Sequence, residues 1–371
     1  MKVAITSPKI EMLYNNGVRF NTILWYDFFT NCGFDVSFVT NEDINPDDPV
    51  HKNYKFLNYM NLWDIKDKKS KLKDNYKESY PELFDFDVVF NIGMYDQPYF
   101  DILKKHNIKL IYVMLGSNYH NDVHSIIDDR FETGKHTFCF DEIWISPHFK
   151  YCQEYYKIRY NTPNVFLCPY FWREDMFVQE KVIDKILKDT NELKVAIVEP
   201  NIEQAKNCLI PIAICEKAGK YIKKVKVFNT VKFKDYSFFK SFLLNTNICK
   251  DGKLTVEGRH PLPMILSEYC NCVVSYVEDC DLNYVFLECF YLGVPLIHNS
   301  PMLKEYGYYY PRLDVSRGAE QIIKVLAHHN REEYIKKHKP LIEKYSVTNP
   351  LYIAWTKARL NGEINFDCEF K

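Results

Sequence analysis

Two doubly wound, Rossmann-like α/β domains are the architecture this sequence predicts, on three observations. Short apolar runs bounded by turn residues alternate with helix-length stretches, the pattern of a parallel sheet with crossover helices. At 371 residues the chain exceeds what one hydrophobic core comfortably fills and points to two domains of about 150–200 residues. The pattern also starts twice, at residue 3 and again at residue 193 after a charged, loosely periodic stretch.

Composition narrows the function. Hydrophobic residues at 47% and aromatics at 16%, with 12 glycines against the usual ~7%, describe a core-forming chain. A net charge of −1 gives no basic field, so duplex DNA is not expected as a main partner. Twelve cysteines without a Cys-x-x-Cys pair read as free thiols of a reducing compartment. Too few apolar residues precede Pro8 for a signal-peptide core, and no window approaches the roughly 18 apolar residues of a membrane span. A cytoplasmic protein without a membrane span is the expectation. No P-loop, no Gly-x-Ser-x-Gly elbow and no Gly-x-Gly-x-x-Gly first loop occur, so nothing supports P-loop hydrolysis, a serine hydrolase or a dinucleotide cofactor.

In order, residues 3–6 read as a buried strand, 18–31 as a helix with Phe20, Ile23, Leu24 and Phe28 at helical spacing, and 35–39 as a second strand introduced by Gly33. Residues 41–82 are polar and charged and carry no readable chemistry. Strands are predicted at 87–92, 108–113, 142–145 and 164–169, with helical stretches around 97–106, 121–132 and 148–157. Ligands of such sheets gather beyond the carboxyl ends of the strands. The ends at 93–96, 116–120 and 146–148 qualify, and the second is richest. There Gly116 allows close backbone approach, and Asn118 and His120 offer polar groups. His120 and His124 have metal-ligand spacing but no third ligand nearby, so no metal is expected.

Residues 169–172 read as a hinge. A buried strand restarts at 193–198 and runs into a polar segment holding Glu199, Asn201 and Lys206, and Pro211 places a helix start close by. Further strands are predicted at 224–229, 253–259 and 271–276, with Arg259 at the end of the middle one. The stretch 278–298 then organises the second half. Asn283 caps a helix over 284–292, Gly293 suits its left-handed end and Pro295 stops it, so the helix N-terminus points at the loop holding Glu278 and Asp281. Exposed amides there favour a phosphate, and Glu288 lies one turn beyond. Asn349 and Pro350 start a last helix returning to the first domain. The predicted domains are 1–175, completed by 350–371, and 190–349. Two Asp-x-Asp triplets, at 85–87 and 279–281, do not fit a metal-diphosphate role, because the first begins a strand and the sheet is repeated twice.

Leu287 and Glu288, followed by Leu292, Gly293, Val294 and Pro295, resemble the second half of the Glu, seven residues, Glu signature of retaining nucleotide-sugar glycosyltransferases of the two-Rossmann-domain, GT-B type. The first half departs, since Cys280 stands eight residues before Glu288, and Glu278 or Asp281 is the replacement acid. The ordered set of Glu199-Pro-Asn-Ile, Lys206, Gly258-Arg259, Leu282-Asn-Tyr, Tyr291-Leu-Gly-Val-Pro and Gly307-Tyr-Tyr-Tyr-Pro is similar to a family of uncharacterised bacterial and viral proteins assigned to that fold. The similarity covers most of residues 90–355 and is strongest over 193–311.

The resemblance implies two domains facing a cleft and metal-independent transfer of a sugar from a nucleoside-diphosphate donor to an acceptor hydroxyl, such as a glycan's. No cofactor is implied beyond the nucleotide sugar as co-substrate. It makes His120, Glu278 and Asp281 the catalytic candidates, and Glu199, Asn201, Lys206, Arg259, Asn283, Tyr284 and Glu288 the donor-binding ones. Asn16 and Gly17, in the first loop, join Gly116 and Asn118 on the acceptor or cleft side. Two rival readings stand beside it: a nucleotide-sugar epimerase on the same fold, and an inactive glycan-binding protein suggested by Cys280 and the tyrosines at 308–310.

Overall fold

The computed structural model describes the chain apart from residues 7–16, 46, 48–51, 67–68, 94–95, 129–139, 175–182, 184, 187–191, 202–203 and 369–371. It divides into two compact units, one formed by Met1–Phe171 with Tyr345–Lys371 and the other by Trp172–Lys344.

Unit 1 is built on a sheet of β1 (Lys2–Thr6), β2 (Asp35–Thr40), β3 (Phe56–Asn58), β6 (Val88–Asn91), β7 (Lys109–Met114), β8 (Glu142–Ile145) and β9 (Val165–Leu167). The order is β3-β2-β1-β6-β7-β8-β9, and every pairing is parallel. Strands such as Val3–Ile5 and Val88–Phe90 are buried throughout, as a sheet covered on both faces requires. Helices α1 (Gly17–Asn31), α2 (Gln97–Lys105), α3 (Asn118–Asp128) and α4 (Gln153–Arg159) provide the crossovers. The high aromatic content has a physical place: Trp25 of α1 packs its ring 4.9–6.3 Å from those of Phe28, Phe90, Trp144 and Phe171.

The polar stretch 41–82, in which the sequence predicts no element, contributes secondary structure among its described residues. It contains β3 at the sheet edge, a 3-10 turn over Tyr59–Leu62, and an antiparallel hairpin of β4 (Trp63–Lys66) and β5 (Lys69–Leu72). Tyr59 and Leu62 are fully buried, and the Tyr59 hydroxyl donates to Asp96 at 2.6 Å. The buried Tyr59 and Leu62 anchor this stretch despite its charged neighbourhood.

Unit 2 repeats the plan with β10 (Leu193–Ile197), β11 (Ile222–Val227), β12 (Leu254–Val256), β13 (Cys272–Val274), β14 (Leu296–His298) and β15 (Tyr308–Tyr309), all parallel in the order β12-β11-β10-β13-β14-β15. Its helices are α5 (Leu209–Lys217), α6 (Ser237–Leu244), α7 (Leu262–Glu268), α8 (Tyr284–Leu292), α9 (Val315–His328) and α10 (Arg331–Lys344). Val195, Ile197, Val225 and Val274 of the sheet meet Ile212 and Ile214 of α5 and Ile322 and Val325 of α9. α9 crosses α5 at Gly318, where an added Cβ would lie 2.4 Å from Ile214 Cδ1.

After Lys344 the chain returns to unit 1 as α11 (Pro350–Leu360), which Asn349 caps through the Leu351 amide at 2.9 Å. Its Trp355 ring stands 5.2 Å from Trp144, and Tyr352 stands 5.7 Å from Phe171. Among the described residues no helix is long and apolar enough to cross a membrane.

Candidate active site

In both sheets the strand order reverses once, beside β1 and β6 in unit 1 and beside β10 and β13 in unit 2. A crevice for a ligand forms beyond the carboxyl ends at such a switch point. In unit 2 the loops leaving β10 and β13 are bound to each other. The Glu278 amide donates to the Ala205 carbonyl at 2.8 Å, Gln204 Nε2 reaches the Glu278 carboxylate at 3.4 Å, and the Tyr276 hydroxyl donates to that carboxylate at 3.3 Å. Glu278 and the loop carrying Lys206 therefore share one ledge, half-buried and open to solvent.

Glu199 ends β10 and turns inward. It is 2% exposed, accepts from the Ser275 hydroxyl, and accepts from the Tyr276 amide at 3.3 Å. Burial pushes its carboxyl up to about 7, against the opposing pull of Ser275, Lys206 and the Tyr276 amide. Asn201 sits in the left-handed region (φ 53), its amide donating to the Glu199 carbonyl at 2.7 Å while its oxygen accepts from the Cys208 amide at 2.8 Å. Glu199 ties the two loops together from within, and Asn201 fixes the turn of its own loop.

Downstream, α8 spans the residues the caps predict. Asn283 accepts from the Val285 amide at 3.3 Å, and Gly293 closes the helix at φ 68, where a side chain would run into Arg331 and Ile335. Tyr284 opens the helix, half-buried. Glu288, in the second turn, is 6% exposed, and its Oε2 has no hydrogen-bond partner among the described residues. Burial pushes its carboxyl up to about 8, so the unliganded protein holds it as a neutral acid near neutrality.

Asp281 faces another way. Its carbonyl accepts from the Ser300 hydroxyl at 2.9 Å, and burial together with Asp279 pushes its carboxyl up to about 6 against a hydrogen bond from the Met302 amide. Cys280 is buried between the two acids. The acid that shares a ledge with Lys206 is thus Glu278, and Asp281 braces the turn after β14. Asn299, which the sequence reading passed over, clamps Val277 from both sides at 2.7–2.8 Å. Its place directly after a buried strand was the only signal.

Arg259 is exposed beyond β12, two strands from β10. Hydrogen bonds nevertheless run along this edge: the Asn229 amide donates to the Gly258 carbonyl at 3.2 Å, and its side chain donates to the Val198 carbonyl at 2.9 Å.

In unit 1 the end of β7 differs from expectation. α3 begins at Asn118, three residues early, because Ser117 acts as its cap: its carbonyl accepts from Asn121 at 3.3 Å and its hydroxyl from the His120 amide at 3.4 Å. Asn118 is engaged internally, donating to the Tyr112 hydroxyl at 2.9 Å, and the Tyr119 amide is taken by the Tyr156 hydroxyl at 3.1 Å. A side chain at Gly116 would meet nothing within 4 Å, so packing does not demand a glycine there. His120 is 8% exposed, and its Nδ1 has no partner among the described residues. Gly17 is the first residue of α1, and Asn16 lies outside the described residues. Among the described residues no group of three or more His, Cys, Asp or Glu is placed to hold a metal.

A family described as "Protein of unknown function (DUF2827)" matches residues 8–360. The chain belongs to the DUF2827 family. No curated protein matches this DUF2827 sequence. Solved structures do match its fold. A mutant TarM of S. aureus, in complex with Fondaparinux, alpha-GlcNAc-glycerol and UDP, is 12% identical with a TM-score of 0.63 over 97% of this chain and 99% of that one. HepE of Anabaena, in complex with UDP-glucose, is 10% identical with a TM-score of 0.61 over 97% and 100%. Sucrose-phosphate synthase from Thermosynechococcus elongatus is 12% identical with a TM-score of 0.57 over 98% of each chain. The DUF2827 chain thus has the two-Rossmann GT-B fold of these proteins.

Proposed function

We propose that this protein transfers a sugar from a nucleoside-diphosphate donor to an acceptor hydroxyl, with retention and without a metal. One observation carries the reading: a buried carboxyl oxygen without a partner, on Glu288, lies in the helix that starts at the switch point of unit 2. Leaving such a group unsatisfied costs about 1–3 kcal/mol, which a donor hydroxyl recovers on binding. A ribose supplies such hydroxyls, and the fold's relatives include proteins solved with UDP and UDP-glucose.

In this reaction the bond from the anomeric carbon to the diphosphate oxygen breaks and one to the acceptor oxygen forms, while the hydroxyl proton leaves with the departing phosphate or a base. The chief burden is charge developing on the leaving group. Lys206, the start of α8 at Asn283 and Tyr284, and Arg259 are assigned to that charge. Glu278 is assigned to the sugar hydroxyls, its carboxylate already oriented by Tyr276 and Gln204. In unit 1, His120 is assigned to sugar contact through its unpartnered Nδ1.

A second reading is favoured by Cys280, buried where the resembled signature has an acid: a binder of nucleotide sugars or glycans that transfers nothing. A panel of nucleoside-diphosphate sugars tested by thermal shift separates the possibilities. A ligand at a hundred times its Kd adds about 2.7 kcal/mol of stability. Release of nucleoside diphosphate from the stabilising donor, dependent on Glu278, supports transfer. Stabilisation without turnover supports the binder, and no stabilisation by any nucleotide sugar rejects both.

A further inference from the structure

Residues 216–253 hold ten lysines against three acidic residues, an excess of seven positive charges. Because the whole chain has a net charge of −1, the remainder carries an excess of eight negative charges. Several of these lysines are engaged: Lys223 pairs with Glu192, Lys226 with Glu257, and Lys253 donates to the Gly219 carbonyl at 2.7 Å. Lys232, Lys234 and Lys240 stand exposed and form no ion pair among the described residues.

Large apolar side chains stand among these three lysines. Val231 is 44% exposed, Tyr236 60%, Phe238 67% and Leu244 55%. The Phe238 and Phe242 rings stack on each other at 6.2 Å, and Phe233 meets Tyr236 at 5.4 Å. α6 is anchored to the core by the buried Phe239 and Leu243, so its exposed rings do not hold it in place. Exposed Asp235 is the one acidic residue of 231–244 against these three lysines, so exposed apolar side chains stand here with an excess of positive charge, a pattern that marks a binding face.

We propose that this face, the 3-10 turn Val231–Phe233 together with α6, docks on the surface of an anionic lipid bilayer. Ammonium groups on flexible stems meet lipid phosphates while Phe238, Leu244 and Val231 reach the acyl boundary, and Tyr236 belongs at the interface between the two. A second copy of the chain fits less well, since a two-fold contact would set this lysine cluster near itself. Single-stranded nucleic acid fits less well too. Aliphatic Val231 and Leu244 offer no stacking face, and Phe238 and Phe242 occupy each other's.

The test is flotation of the full chain with vesicles of phosphatidylcholine alone, and with vesicles in which about a third of the lipid is phosphatidylglycerol. Binding to the anionic vesicles is expected to be about a hundredfold tighter, and to be lost by a similar factor in the variant Lys232→Gln, Lys234→Gln, Lys240→Gln. The variant Phe238→Ser, Leu244→Ser should lose about tenfold on the same vesicles, because it removes insertion and keeps the charge. All five side chains are exposed, so circular dichroism and the melting temperature should match the parent's. Equal binding to both vesicle types, or none to either, overturns the proposal. So does unchanged vesicle binding in both variants. Tighter binding of a single-stranded oligonucleotide than of vesicles, untouched by Phe238→Ser, Leu244→Ser, makes the face a polyanion site. Conversion of a dimer to a monomer by that variant without vesicle binding makes it a contact between copies.

Discussion

Arg359, near the end of α11, donates through Nε to the Glu142 carboxylate at 3.0 Å, 217 residues earlier at the start of β8, and both side chains are buried. Trp144 Nε1 donates to the same oxygen at 2.9 Å, Lys109 reaches the other at 2.6 Å, and the Arg359 guanidinium lies 3.5 Å from the centre of the Phe166 ring. Burial alone would raise the Glu142 carboxyl, but these three donors hold it below the usual range. Arg359→Ala should destabilise the protein by about 3–5 kcal/mol in urea unfolding, since it strips a partner from a buried charge. Because the folded pKa is depressed, the pair's contribution is complete above the unfolded value near 4.5 and is lost as pH falls below it.

Glu288 behaves in the opposite sense. Its carboxyl is pushed up to about 8 from an ordinary 4.5, so the folded chain binds the extra proton between these values and stability falls as pH rises through the window. Glu288→Gln should therefore raise the melting temperature more at pH about 8.5 than at pH about 5. Identical shifts at both values would mean that the group is ionised in the folded protein.

Donor binding should release a proton. Hydroxyls donating to Glu288 favour its carboxylate and lower its pKa, so calorimetry near neutrality, in buffers of different ionisation enthalpy, should show a fraction of a proton released per nucleoside diphosphate. The Gln variant should release none and bind about 1.5–3 kcal/mol more weakly.

Two histidines set the acid limit. His298 Nε2 donates to the Tyr306 carbonyl at 2.9 Å while its Nδ1 accepts from the Ser300 amide at 3.2 Å; His338 Nδ1 donates to the Tyr334 carbonyl while its Nε2 accepts from the Gly307 amide at 2.9 Å. Each ring is committed as donor and acceptor, so protonation sets N–H against N–H. Burial pushes both down to about 4 from 6.5. The stability they hold is complete above 6.5 and lost as pH falls through about 4, at most about 3 kcal/mol from each. Urea titrations between these values should show the loss, and His338→Gln should flatten the slope.

Lys206 and Arg259 make a sharper test of the donor site. Lys206→Ala should weaken a nucleoside diphosphate much more than the nucleoside. If Arg259 touches the same diphosphate from two strands away, the double change departs from additivity by about 0.5–3 kcal/mol. Additive losses would place Arg259 in solvent.

Much of this was legible before the fold was seen. The helix Tyr284–Leu292 and the strand Glu142–Ile145 lie where caps, proline and β-branched runs put them, because local chemistry decides those boundaries. β3 was not legible: three half-buried residues at a sheet edge carry too short a pattern to stand out among charges. Ser117 hid as a cap between Gly116 and Asn118, which turned a loop into the first turn of α3. At the candidate site, position along the chain singled out Glu288 but not its protonation state. The neutrality of Glu288 depends on burial that only the folded chain creates, and the inward turn of Glu199 depends on Ser275, 76 residues on. No periodicity encodes either.

The first unit is written at both ends of the chain, and a ribosome reads it in one direction. Trp144, Phe166 and Phe171 emerge about 200 residues before Tyr352, Trp355 and Arg359, which at typical synthesis speeds is about 10–40 seconds. Throughout that interval the surface that α11 will cover is bare, with Glu142 lacking its guanidinium, while the whole of the second unit is being made. A nascent chain of this protein therefore carries an open aromatic seam as cargo for a chaperone until α11 has left the ribosome and closes it.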